Sequence, residues 1–256
     1  MPLFLNLADK VYASTIFTKT SAKVKNLVGL RPDAIIGGTG FDLSVRLPPE
    51  VDAMKARINF GFTSRGCVRK CPFCIVPQAE GAIRPVGDIY DVWDGKAKKI
   101  VLFDNNILAI PDHFEKIISQ VVKENLIVDF NQGLDIRLIN EDLANILKTA
   151  RMRRLRFAFD DPNMATLVEE KVAMVRAAGL NSDPFFYVLV GFNTTFEQDL
   201  ARLNLLRRLK CKAYVMRYET VRLERRYIRL AEWANQMWTF SKYDFDSFCI
   251  AFEAKK

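Results

Sequence analysis

The sequence predicts an α/β fold: a partial (βα)6 parallel barrel, with a short N-terminal α/β segment before it and a C-terminal helical tail after it. Three observations carry that prediction. Six short apolar, aromatic-rich runs recur from residue 56 onward, with the character of strands buried on both faces. Amphipathic segments of helical period separate them, and strands alternating with helices imply a parallel sheet with right-handed crossovers. The chain has 256 residues, half of them hydrophobic, which is enough for one large domain with small additions. Six repeats suit a partial barrel better than a closed one of eight strands.

The elements follow in order. Residues 1–55 stand outside the repeat, with short strands expected within 9–17 and 33–36 and a polar, basic stretch over 18–25 between them. The second strand runs into Gly37-Gly38-Thr39-Gly40, read as a turn with a phosphate nest as the alternative; no Gly-Lys-Ser/Thr follows, so it is not a P-loop. Pro48-Pro49 marks a boundary. The barrel is expected over 56–220, with strands at 58–62, 100–103, 126–130, 155–159, 185–190 and 213–216. Helices are expected over 111–124, 140–150, 163–178 and 195–210. Asn140 reads as an N-cap, Pro111-Asp112 and Pro162-Asn163 as helix entries, and Gly179 as an exit. In the last helix Phe196, Leu200, Leu203 and Leu206 mark one face, with Arg202 and Arg207 elsewhere. Residues 221–256, rich in aromatics, form the tail that covers the barrel.

The net charge of +8 fits a polyanionic partner such as nucleic acid, or simply a basic solvated surface. No run reaches transmembrane length, and Pro2-Leu3-Phe4-Leu5 lacks the basic flank of a signal peptide. The five cysteines are odd in number and three fall within 67–74, which argues against a secreted disulfide scaffold. A cytoplasmic protein with metal or redox chemistry is the expectation.

Directly after the first strand stands Gly66-Cys67-Val68-Arg69-Lys70-Cys71-Pro72-Phe73-Cys74, with Cys-x3-Cys-x2-Cys spacing. Arg65, Arg69 and Lys70 supply positive charge that favours thiolates. A zinc site needs four ligands, and Cys211, Cys249 and His113 do not come paired. A redox pair of Cys71 and Cys74 leaves Cys67 unexplained. Three buried structural cysteines would not need this spacing. A [4Fe–4S] cluster held by three thiolates, with one iron open to a cofactor, uses all three.

Here the sequence resembles the radical S-adenosylmethionine (SAM) superfamily, whose signature is this cysteine spacing after the first strand of a βα partial barrel, with an aromatic such as Phe73 before the third Cys. The resemblance implies that Cys67, Cys71 and Cys74 bind three irons and that the fourth iron chelates SAM. It further implies reductive cleavage of SAM to a 5′-deoxyadenosyl radical that takes hydrogen from a substrate, with an electron donor such as flavodoxin or ferredoxin. The stretch GCVRKCPFCIVP looks closer to the branch of methylthiotransferases and cobalamin-binding-fold proteins, and within it is similar to uncharacterised bacterial and phage members sharing GGTGFD, LFDNN and DFNQGLDIRL. The resemblance covers nearly the whole chain from about Asp9. Two departures stand out. Cobalamin is not expected, because His113 is the only histidine and is not in an Asp-x-His-x-x-Gly motif. No cysteine precedes Cys67 to hold a methylthiotransferase's second cluster. Residues 1–55 read as a small cap or as part of a cobalamin-binding-like domain that is longer in relatives.

Other candidates sit where loops leave the strand ends, the reactive face of such barrels. Asp104 and Asn105 are expected, by the resemblance, near the SAM amino group; the alternative is an Asn/Asp-rich turn. Asn131, Asp135 and Arg137 follow the third strand, where Arg137 can clamp a carboxylate or phosphate, or merely pair with Asp135. Asp160 is assigned to the SAM ribose and Asp161 to a helix cap. Gly191 either lets adenine approach the backbone or is a plain turn glycine. Cys211 and Cys249 are expected as apolar wall residues and His113 at the surface. The cluster Arg151, Arg153, Arg154 and Arg156 is expected to be solvated. Arg217, Arg222, Arg225, Arg226 and Arg229, mixed with Tyr218 and Tyr227, could bind single-stranded nucleic acid. The net charge and the branch resembled make a modified nucleotide or nucleic acid the expected substrate class, with a peptide or small metabolite, or an inert iron–sulfur or zinc module, as alternatives.

Overall fold

Wherever the sequence places an apolar run of strand length after residue 56, the chain extends and pairs in parallel. The computed structural model describes residues 8–16, 21–52, 54, 56–180 and 183–253; the Pro2–Leu5 run and residues 17–20 lie outside these. The chain divides into two units, one joining Met1–Ala56 to Cys74–Gly81 and the other holding Arg57–Phe73 and Ala82–Lys256.

In the first unit β1 (Tyr12–Ser14) pairs in parallel with β2 (Ile35–Gly37), Tyr12 opposite Ile35. Parallel strands need a crossover, and helix α1 (Ser21–Leu30) supplies it over part of the stretch read only as polar. The glycine turn is confirmed by a bridge between Gly38, at φ +101°, and Asp42. Short helices α2 (Pro49–Asp52) and α3 (Val76–Ala79) complete this unit, and Arg46 Nη2 donates to the carbonyl of Ala79 at 2.5 Å.

The second unit begins with β3 (Phe60–Gly61) and an antiparallel pair, β4 (Ser64–Arg65) with β5 (Arg84–Pro85). Then come α4 (Ile89–Val92), β6 (Lys99–Leu102), α5 (Pro111–Lys123), β7 (Ile127–Phe130), α6 (Glu141–Thr149), β8 (Arg151–Met152), β9 (Arg156–Ala158), α7 (Ala165–Ala177), β10 (Phe185–Val190), α8 (Phe196–Arg208) and β11 (Lys212–Arg217). Three helices close the chain: α9 (Arg225–Asn235), α10 (Met237–Lys242) and α11 (Phe245–Glu253). Two parallel sheets result, ordered β3-β6-β7-β8 and β9-β10-β11, and a parallel bridge joins Leu134 to Phe157. The run expected as one strand at 155–159 is thus one of two short pieces, β8 and β9, in different sheets.

Helix boundaries follow local chemistry. Asn140 accepts from the amide of Leu143 at 2.8 Å as the N-cap of α6. Thr195 and Gln198 form a capping box at the start of α8. The ends of α5, α7 and α8 share one motif. The amide two residues past the cap reaches back to the last turn (Leu126 to Val121, Leu180 to Val175, Cys211 to Leu206), and the residue between is left-handed. Those residues are Asn125 (φ 50°), Gly179 (φ 78°) and Lys210 (φ 50°).

Between sheets and helices lies one core that includes Ile100, Leu102, Val128, Phe186, Val188, Ile117, Val175 and Leu206, and the tail adds Trp233, Phe240 and Phe248 to it. On the opposite sheet face, β10 and β11 leave Tyr187 and Leu189 half-buried and Tyr214 and Met216 exposed. Several expected surface residues belong inside. Arg156 is buried and ion-paired with the buried Asp129, because a carboxylate within strand β7 requires a partner. Arg202 is buried against Asp199, and Tyr227 is in the core with Arg226 over its ring. Among the described residues no helix is long and apolar enough to cross a membrane.

Candidate functional site

The loops that follow β3, β6 and β7 bring the polar residues of the second unit together. Asp104, just past β6, turns its carboxylate onto the stem of the cysteine loop. Its Oδ1 accepts from the Thr63 amide at 3.1 Å, the Thr63 hydroxyl at 2.8 Å, the Ser64 hydroxyl at 2.6 Å and the Ser64 amide. Oδ2 is buried with no hydrogen-bond partner among the described residues. Burial outweighs those hydrogen bonds and pushes the Asp104 carboxyl above its usual range. His113, expected at the surface, is instead buried in the first turn of α5, with Nε2 3.2 Å from Thr63 Oγ1. The Thr63 hydroxyl hydrogen goes to Asp104, so His113 is the donor in that contact. Burial lowers its pKa, so the ring is neutral at pH 7.

Beyond this clamp the loop carries Cys67. Its sulfur accepts from the Arg69 amide at 3.3 Å and from Asn106 Nδ2 at 3.6 Å. Asn106, only 2% exposed, also donates to Asp135 Oδ2 at 3.2 Å, and its own Oδ1 is buried without a partner. Asp135 joins the loops: Arg69 Nε donates to it at 2.9 Å, and Arg137 Nε and Nη2 donate at 2.6 and 3.0 Å. Burial alone would raise the Asp135 carboxyl, but the two guanidiniums hold it below the usual carboxylate range. Burial likewise works against Arg137, yet its hydrogen bond to Asp135 and that carboxylate's charge raise it. N–H donors on sulfur and nearby guanidinium charge are the surroundings that stabilise thiolates and an anionic thiolate-bound group. The residues of this unit fit a cluster of that kind. Cys74 is exposed and belongs to the first unit. Among the described residues no three His, Cys, Asp or Glu side chains are gathered as a metal set, and all five cysteines are thiols.

The remaining expected residues divide. Phe73 packs edge-on against Phe192 (5.3 Å), which packs against Tyr218 (4.8 Å), so an aromatic row joins the cysteine loop to the ends of β10 and β11. Asn131 accepts from the Tyr187 hydroxyl through its backbone carbonyl at 2.9 Å. Asn105 is half-buried beside Asp104. Asp160 accepts from the Leu189 amide at 2.8 Å, and burial raises it although Arg202 and Arg137 oppose that. Asp161 caps the turn after it by accepting from the Asn163 amide at 2.9 Å. Gly191 has an internal reason: at φ +77°, a Cβ there would meet the Val221 side chain.

Sequence reasoning missed Asn106, Asp199 and Arg202. Asp199 Oδ2 accepts from the Gly191 amide at 2.8 Å and Oδ1 from Arg202 Nη2 at 2.5 Å. Arg202 also donates to the carbonyls of Leu189, at 2.8 Å, and Phe159. This buried pair trims the ends of β9 and β10 from beneath. An Asp and an Arg three apart on the buried half of a helix were the available signal. Compared with known proteins, the chain matches no protein-family model and no curated protein.

Proposed function

We propose that this chain is a radical SAM enzyme whose Cys67, Cys71 and Cys74 hold a [4Fe–4S] cluster at the mouth of a partial (βα)6 barrel. The observation that carries the reading is the thiol environment. Cys67 accepts two N–H donors, one of them from Asn106, which also donates to the Asp135 carboxylate held by Arg69 and Arg137, past the C-terminal ends of parallel strands. The strands support the barrel, since they follow one another in each sheet in chain order and a parallel bridge joins Leu134, in the loop past β7, to Phe157 of β9. Cys67, Cys71 and Cys74 would be the thiolate ligands of such a cluster, three within one short stretch of sequence. When bound, the cluster supplies an electron that cleaves SAM to a hydrogen-abstracting radical.

The chain's own residues have defined work in this reading. Asp104 fixes the loop stem. Asn106 and the Arg69 amide hold the Cys67 sulfur. Asp135 keeps Arg69 and Arg137 where their charge offsets an anionic centre. Asp104 and Asn105 are assigned to the SAM amino group and Asp160 to its ribose. Net charge +8 and arginines 217, 222, 225 and 226 near the mouth support a nucleotide or nucleic-acid substrate, and a cytoplasmic flavodoxin or ferredoxin suits as electron donor.

The test is anaerobic reconstitution with iron and sulfide, then dithionite and SAM, with 5′-deoxyadenosine measured by mass spectrometry. The expected result is product from the native protein and none from Cys71→Ala. A protein that takes up no cluster would overturn the reading.

A further inference from the structure

A cavity of about 650 Å³ lies at the N-terminal ends of β10 and β11, remote from the cysteine loop. Its volume is that of a site for a nucleotide-sized ligand. Arg207, Lys210 and Lys212 line it with one carboxylate, Asp183, which pairs with Lys212 at 3.1 Å. Trp238 edges it and is 58% exposed, whereas Trp233 is fully buried and Trp93 half-buried. The indole is held in place: the Lys242 ammonium sits 5.2 Å from its ring, and Tyr243 packs edge-on at 5.7 Å. Cys211 in the wall is buried and its thiol is pushed up to about 11, so the cavity is equipped to bind rather than react.

Lys210 adds an independent sign. Where α5 and α7 end in the same backbone motif, the left-handed position is Asn125 and Gly179, residue types that tolerate it. Among the described residues Lys210 is the one non-glycine other than asparagine at positive φ. A residue type uncommon at positive φ stands where glycine fits better, and its side chain lines the groove.

We infer that this groove binds single-stranded nucleic acid, a base stacking on Trp238 while phosphates lie against Lys210, Lys212 and Arg207. Exposed aromatic beside clustered cations is the composition that holds single strands, and the +8 net charge is complementary to them. The six residues of β11 put roughly 20 Å between groove and mouth, so the groove anchors a polymer of several nucleotides. The inference does not rest on the proposed cluster chemistry, because binding is read without SAM or reductant.

The experiment is fluorescence anisotropy of a labelled 12-nucleotide oligo-dT with the full chain, across salt concentrations. Trp238→Ala is expected to weaken binding about tenfold. Lys210→Gly is expected to melt no lower than the native protein, since glycine suits φ 50°, yet to bind several-fold more weakly. Its slope of log K against log salt should fall by about 0.7, the share of one phosphate contact. No binding by the native protein at low salt would overturn the inference. So would binding that both variants leave unchanged, or equal competition by a poly-glutamate peptide, which would mark a general anion surface.

Discussion

Asp104 combines two properties in one side chain. One oxygen takes four donors from Thr63 and Ser64, and the other, buried, has no partner among the described residues. Its pKa is raised in the fold, so the native state binds a proton more readily than the unfolded chain does. The stability this contributes is full below the unfolded value near pH 4 and is lost as pH rises through the folded value. Asp104→Asn should flatten that decline, seen as urea midpoints that change less between pH 4 and 7 than those of the native protein. Asp135 has the opposite sign: lowered by Arg137 and Arg69 against its burial, it contributes stability above the unfolded value that is lost as pH falls. Gly191→Ala sets a Cβ into Val221 at a left-handed φ, and should cost about 1–3 kcal/mol in chemical denaturation.

Helix α8 shows how one element serves both packing and the site. Its N-terminus is fixed by the Thr195–Gln198 capping box, and Thr195→Ala should lower stability by about 0.5–2 kcal/mol in a urea titration. Its buried face carries the Asp199–Arg202 pair that ties the ends of β9 and β10 together. Arg202→Ala leaves Asp199 buried and unpaired and should cost about 3–5 kcal/mol by the same titration. Changing Asp199 and Arg202 together to apolar residues of similar volume should cost less, because no lone charge is left inside. The apolar positions of α8 were plain in the sequence from Phe196, Leu200, Leu203 and Leu206. The pair was not, because helical period places a residue on a face without saying whether a charge there finds a partner.

For the molecule as a whole, the strand and helix rhythm after residue 56 was legible because buried strands and amphipathic helices each impose their own apolar period. Strand and helix limits agree within two or three residues, and the caps at Asn140 and Asp161 and the exit at Gly179 stand where the sequence puts them. The β4–β5 pair and α1 were not legible: two-residue strands carry no period, and α1 is a weakly amphipathic segment. His113 and Arg156 were misplaced for a shared reason. Each is polar in composition, yet each is buried where a fixed partner, Thr63 or Asp129, meets it from a distant part of the chain.

The sequence by itself determined the alternation of strands and helices, the cysteine spacing and the polar residues after each strand, because these depend on neighbours a few positions apart. Tertiary structure alone decided which of those residues meet. Asn106, Asp135, Arg69 and Arg137 form one network that reaches Cys67 through Asn106 and Arg69, with contacts up to 66 residues apart in sequence, and the groove at Trp238 joins α8, β11 and α10. Charge, burial and hydrogen-bond complementarity between distant segments are properties of the packed chain, and local periodicity does not encode them.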